Sequence, residues 1–166
     1  RATTPPTPPH DAGPSTPITV TGVTDGDGKR RRFSMGTDGD FTTVTIAVPA
    51  GQYVHGKQTY VIDYTQTDVT KYFKNTNDDE FYWDVNGTGW SQPFGEVSAT
   101  VTVAGALASN LSGQNSCYQG SAGSTLKCDL AANNGTIPAH LDQIGHSQGM
   151  TLALRLAPPS FARSTF

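Results

Sequence analysis

The 166-residue chain carries 18 glycines and 11 prolines against 35% hydrophobic and 15% charged residues, with a formal net charge of −3. That length suits one domain with a real core. No run of 18 apolar residues exists to cross a bilayer as a helix, no amino-terminal apolar stretch reads as a signal peptide, and the charge balance gives no general attraction to nucleic acid or anionic lipid.

Residues 1–17 hold six prolines among Thr, Ser, Gly and Ala, and such a segment buries too little apolar surface to offset its ordering entropy. It is expected to be a tail or linker. Residues 18–157 are expected to form the folded part, and 158–166 a carboxyl-terminal tail. The turn chemistry of Asp25-Gly26-Asp27-Gly28 comes first, followed by the cations Lys29-Arg30-Arg31-Arg32. The cations could meet phosphate, a cell-wall polyanion or a lipid headgroup, or form a solvated strand end; the acidic chain favours the latter.

Next come short segments of period two. Val44, Ile46 and Val48 alternate with Thr43, Thr45 and Ala47; Tyr60, Ile62 and Tyr64 follow, then Phe81, Trp83 and Val85, then Val97, Ala99, Val101 and Val103, and finally Leu152, Leu154 and Leu156. Alternation of this kind, rich in Val, Thr and aromatic residues, predicts half-buried strands. Between them lie the turn pairs Asp38-Gly39 and Asn86-Gly87 and the cluster Asn133-Asn134-Gly135. The fold expected is all-β, an antiparallel β-sandwich with at most one short helix, best placed at Ala104 to Leu111.

Cys117 and Cys128 are separated by eleven residues within a Gly/Ser-rich stretch, an easily closed loop. A disulfide there would stabilise by about 3 kcal/mol and belongs in an oxidising compartment. Two free thiols are the alternative reading.

Gly145-His146-Ser147-Gln148-Gly149 matches the G-x-S-x-G nucleophile elbow in its letters. Its surroundings argue against it. The elbow needs a helix after the serine, with the acid and base further along, yet only 17 residues follow Gly149, none of them His or Asp. No other nucleophile, base and orienting group stand in a credible order, so no catalytic residue and no enzyme activity are expected. The Asp-rich stretches 25–28 and 75–80 offer oxygen ligands but lack the calcium-loop pattern, and His10, His55, His140 and His146 lack metal-ligand spacing. Plain turns are expected, with no metal or cofactor.

The segment Glu80-Phe81-Tyr82-Trp83-Asp84-Val85-Asn86-Gly87-Thr88-Gly89-Trp90 concentrates aromatic residues. In a strand, Phe81 and Trp83 point one way while Glu80, Tyr82 and Asp84 point the other. Tyr82 and Trp90, if exposed, are candidate ligand-binding residues that could stack on a sugar face; core packing is the competing role for Trp90.

That segment, preceded by Gly56-Lys-Gln-Thr59-Tyr60-Val61-Ile62-Asp63-Tyr64-Thr65 and followed by Pro93, resembles the ectodomain of the predicted bacterial membrane proteins grouped as domain of unknown function 2207. There a G-x-x-T-Y-x-I-x-Y strand precedes an E-x-Y-W-[ND]-x-x-G-x-G-W segment. The likeness is good from Val44 to Val103, looser beyond, and there closest to actinobacterial members. It implies an extracytoplasmic β-rich domain that precedes a transmembrane helix, so the chain is expected to be an excised ectodomain, anchored through segments outside it and facing an unknown protein or cell-envelope partner. The family has no established activity, and no active site carries over. The functional expectation is a non-catalytic interaction or structural domain; recognition of a cell-envelope glycan through Tyr82 and Trp90 is the alternative.

Overall fold

The structure is a computed structural model, and the residues it describes are 2–3, 18–39, 41–133 and 135–161. Of the expected tails, residues 1 and 4–17 and 162–166 lie outside that set, as does Asn134 of one expected turn. The architecture is all-β and antiparallel, as the alternation predicted, with a single short helix among the described residues. The described residues gather into two compact units, 2–3 with 18–68 and 69–161.

In the first unit, β2 (Ile18–Asp25) pairs with β5 (Tyr60–Gln66), with a register shift between Val20 and Gly22. A second sheet has the order β1-β4-β3, from β1 (Ala2–Thr3), β3 (Phe33–Asp38) and β4 (Phe41–Ile46). Among its described residues this unit buries few side chains: Val23 of β2, and Thr43 and Val44 of β4. Thr43 and Val44 are neighbours on opposite faces, so β4 is covered on both sides at that point.

The second unit is a sandwich. One layer is a five-stranded sheet of order β10-β9-β12-β7-β6, built from β6 (Thr70–Phe73), β7 (Asp78–Asp84), β9 (Ser116–Gly120), β10 (Lys127–Cys128) and β12 (Gly149–Leu156). The other is the pair of β8 (Phe94–Thr102) and β11 (Thr136–Ile144). Helix α1 (Gly105–Ala108) is one turn long, shorter than the expected stretch, and no side chain caps its start.

The core lies between these layers. Met150 and Leu152 of β12 and Cys117 of β9 meet Val97, Ala139 and Ile144 of the β8/β11 pair, with Val85, Phe94 and Leu141 packed around them. Strand β12 sits between β7 and β9, and Met150, Leu152, Leu154 and Leu156 are all at most 3% exposed. Each such side chain contributes about 1.5–3 kcal/mol by leaving water. Phe81 and Trp83 stack with ring centroids 5.6 Å apart.

Candidate functional site on the outer face of the five-stranded sheet

Alternation along β7 turns Glu80, Tyr82 and Asp84 away from the side that carries Phe81 and Trp83. Strand register then lines up their neighbours. Asp84, Thr151, Tyr118 and Lys127 form one row across four strands; Tyr82, Ala153 and Ser116 form the next; Lys71, Glu80 and Arg155 form a third.

The charges on this face are mostly engaged with one another. Arg155 Nε donates to Glu80 Oε2 at 3.1 Å and a terminal nitrogen to Gln114 Oε1 at 3.2 Å, with Asp78 at 3.9 Å. Lys127 Nζ donates to Ser116 Oγ at 2.7 Å and to the Tyr118 hydroxyl at 3.2 Å, and it lies 4.3 Å from the centre of that ring. Thr151 donates its hydroxyl to Asp84 Oδ1 at 2.5 Å.

These contacts push the titrating groups apart. Burial raises the Asp84 carboxyl above its ordinary value, and the Thr151 hydrogen bond only partly opposes it. Burial also raises the Tyr82 phenol, helped by the Asp84 charge and opposed by a Thr151 hydrogen bond. Tyr118 moves the other way, lowered by hydrogen bonds from Ser116 and Lys127. The result is a mixed polar and aromatic surface, with the small residue Ala153 between Tyr82 and Ser116.

Trp90 has a different setting. Its indole N–H donates to the Asn86 carbonyl at 2.6 Å, and its ring meets Phe94 edge-on, 5.4 Å between centroids at 83°. Asn86 is the hub of this loop. Its Oδ1 accepts the Met150 N–H at 2.9 Å and its Nδ2 donates to the Gln148 carbonyl at 3.2 Å, tying the end of β7 to the start of β12. Gly87 is buried at φ 67°, and a Cβ on Gly149 would stand 3.0 Å from the Gly87 carbonyl oxygen, so both positions require glycine. Tyr82 and Trp90 are both half-buried; Trp90 is held by Asn86 and Phe94, while Tyr82 lies near Thr151 and Asp84.

The G-x-S-x-G letters fall in the turn from β11 to β12, with strands on both sides. Ser147 has φ 53° and gives its backbone N–H to the Trp90 carbonyl at 3.0 Å; His146 Nδ1 lies 2.7 Å from the Ser91 carbonyl oxygen. This is turn geometry that locks two loops together. The Asp25 carboxylate is likewise occupied, accepting the N–H groups of Asp27 and Lys29 and facing Arg31 at 3.4 Å. In the second Asp-rich stretch, buried Asp79 accepts the Ser160 N–H at 2.8 Å. Among the described residues, no group of three or more His, Cys, Asp or Glu is placed to hold a metal ion.

Cys117 and Cys128 are joined as a disulfide, opposite each other in the β9/β10 register with Cα atoms 5.0 Å apart. It pins the edge strand β10, and with it Lys127, to the sheet. Sequence reasoning missed Tyr118, Lys127, Thr151 and Arg155 as members of this face. Each has an unremarkable local context, and only strand order joins them to Tyr82.

Strands, register and disulfide together define an all-β domain, cross-linked at a sheet edge, with a polar outer face. Among the described residues no helix is long and apolar enough to cross a membrane. The chain belongs to the family described as predicted membrane protein (DUF2207), N-terminal domain, whose model matches residues 6–156. No curated protein and no solved structure matches it.

Proposed function

We propose that this chain is an extracytoplasmic, non-catalytic interaction or structural domain of a membrane protein. The observation that carries the reading is the Cys117–Cys128 disulfide, because such bonds persist in oxidising compartments and are reduced in the cytosol. Membership of a membrane-protein family agrees with that location.

The recognition surface we assign is the outer sheet face around Tyr82 and Tyr118, and its partner a protein or cell-envelope component. The side chains there hold one another in fixed positions, which lowers the ordering cost of binding. Trp90 acts on this surface indirectly, by closing the loop that joins β7 to β12.

The location is tested with Asp142→Cys in the membrane protein, with the unsubstituted protein as the control for any other cysteine, since the Asp142 side chain is 79% exposed and Cys117 and Cys128 are paired. A membrane-impermeant maleimide should label this variant in intact cells. Labelling only after lysis would place the domain in the cytosol and overturn the reading.

A further inference from the structure

The first unit carries a second surface that the sheet-face reading does not use. Every cation between 18 and 68 falls in one cluster: Lys29, Arg30, Arg31 and Arg32 follow β2, and Lys57 precedes β5. A cleft of about 270 Å³ joins the two segments, lined by Asp25, Asp27, Arg31, Lys57 and Thr59. They are pressed together at Gly26, where a Cβ would stand 3.2 Å from Thr59 Cβ.

Two carboxylates line that cleft, and one of them is neutralised. Asp25 faces Arg31, which leaves Lys29, Arg30, Arg32 and Lys57, all exposed, against Asp27. The remaining described acids of the unit, Asp38, Asp63 and Asp68, are carried by β3, β5 and the residues after β5. A net-acidic chain thus presents a local excess of positive charge.

Exposed apolar side chains lie in the chain between its two cationic segments. Tyr53 is 86% exposed, with Val48 and Val54 each at 45%. The Ala47 N–H donates to the Arg32 carbonyl at 2.9 Å, which sets Val48 next to Arg32. Tyr53 and Val54 come four and three residues before Lys57, a reach of no more than about 14 Å. Cations flanked by a solvent-facing tyrosine and valines match an interface with anionic headgroups above and acyl chains below, where an amphipathic ring sits favourably. A soluble polyanion would use the cations and leave Tyr53 and Val54 without a partner.

We propose that this cluster, Lys29, Arg30, Arg32 and Lys57 with Tyr53 and Val54, docks the first unit onto an anionic phospholipid surface. Each cation near such a surface strengthens binding by roughly fivefold, so three together contribute about a hundredfold at low ionic strength. Raising the salt to about 1 M shortens the screening length to about 3 Å and removes most of that gain.

The test is sedimentation of the 166-residue chain with phosphatidylcholine vesicles, with and without phosphatidylglycerol. The chain should sediment with the anionic vesicles and lose this in high salt. A Lys29→Ala/Arg30→Ala/Arg32→Ala variant should bind about a hundredfold more weakly. A Tyr53→Ser/Val54→Ser variant should bind several-fold more weakly, by a ratio that stays constant across the salt concentrations at which binding is still measurable. All these side chains are exposed, and the Arg32 carbonyl that accepts the Ala47 N–H is retained in the alanine variant; unchanged circular dichroism and melting temperature verify the fold. Equal sedimentation with both vesicle types would overturn the proposal. So would tight binding to soluble inorganic polyphosphate with no effect of the Tyr53/Val54 pair on vesicles, which would assign the cluster to a polymer.

Discussion

Replacing Asn86 with alanine should destabilise the second unit measurably. Asn86 Oδ1 is the partner of the Met150 N–H, and Met150 is fully buried, so the truncation strands a backbone donor where water does not reach. Such a group costs about 1–3 kcal/mol, and the lost Nδ2 bond to the Gln148 carbonyl adds about 1 kcal/mol. The expected total is about 2–4 kcal/mol, a fall of roughly 8–32 °C in Tm for a unit of roughly 90 residues. Asn86→Asp keeps the acceptor for Met150 but sets a carboxylate oxygen against the Gln148 carbonyl, so its cost should be larger at neutral pH than in acid, where the protonated carboxyl can donate. Urea titration followed by far-ultraviolet dichroism reads both variants, with the slope against urea checked for constancy. If Asn86→Ala lies within about 0.5 kcal/mol of the parent, the loop does not depend on this side chain and the account of the Asn86-to-Trp90 segment as a structural clasp is wrong.

Other outcomes follow from the same geometry. Reducing the Cys117–Cys128 bond releases an eleven-residue separation and should lower stability by about 3 kcal/mol, read as a drop in the urea midpoint with reductant present. Because the folded-state pKa of Asp84 is raised, the folded state takes up its proton before the unfolded state does. This group's contribution to stability therefore rises as pH falls from neutral through its folded value toward the ordinary carboxylate value, about 4. Asp84→Asn should remove that contribution, giving a smaller gain in Tm on acidification than the parent shows; an unchanged pH profile would contradict the burial of this carboxyl. Ser147→Ala should leave any ester hydrolysis by the chain unaltered, since Ser147 acts through its backbone N–H in the turn; loss of hydrolysis specific to this variant would revive the nucleophile reading.

Local chemistry was legible where one strand decides its own neighbours. The alternation of Leu152, Leu154 and Leu156 marked a strand and its buried face, and the cysteine spacing marked a closable loop. Burial that depends on flanking strands was not. Ala153 is buried on the other side of β12, and Thr43 beside Val44, because neighbouring elements cover faces that a period-two pattern assigns to solvent. The converse happens at β5, where Tyr60 and Tyr64 share a face and are 36% and 41% exposed. The site suffered most from non-local order. Tyr118 reaches the Tyr82 face only through β12, which lies between β9 and β7, and Asn86 finds Met150 across 64 residues of chain. The aromatic segment 80–90 stood out by composition, but its division into a sheet-face tyrosine and a loop-closing tryptophan needed the register of β12.

The account turns on the cross-link that fixes β10 to β9, since both the compartment and the rigidity of the outer face depend on it. Titrating thiols in the purified chain, denatured without reductant and isolated under conditions that block exchange, tests it directly. No reactive thiol is the predicted result; two per chain would contradict it.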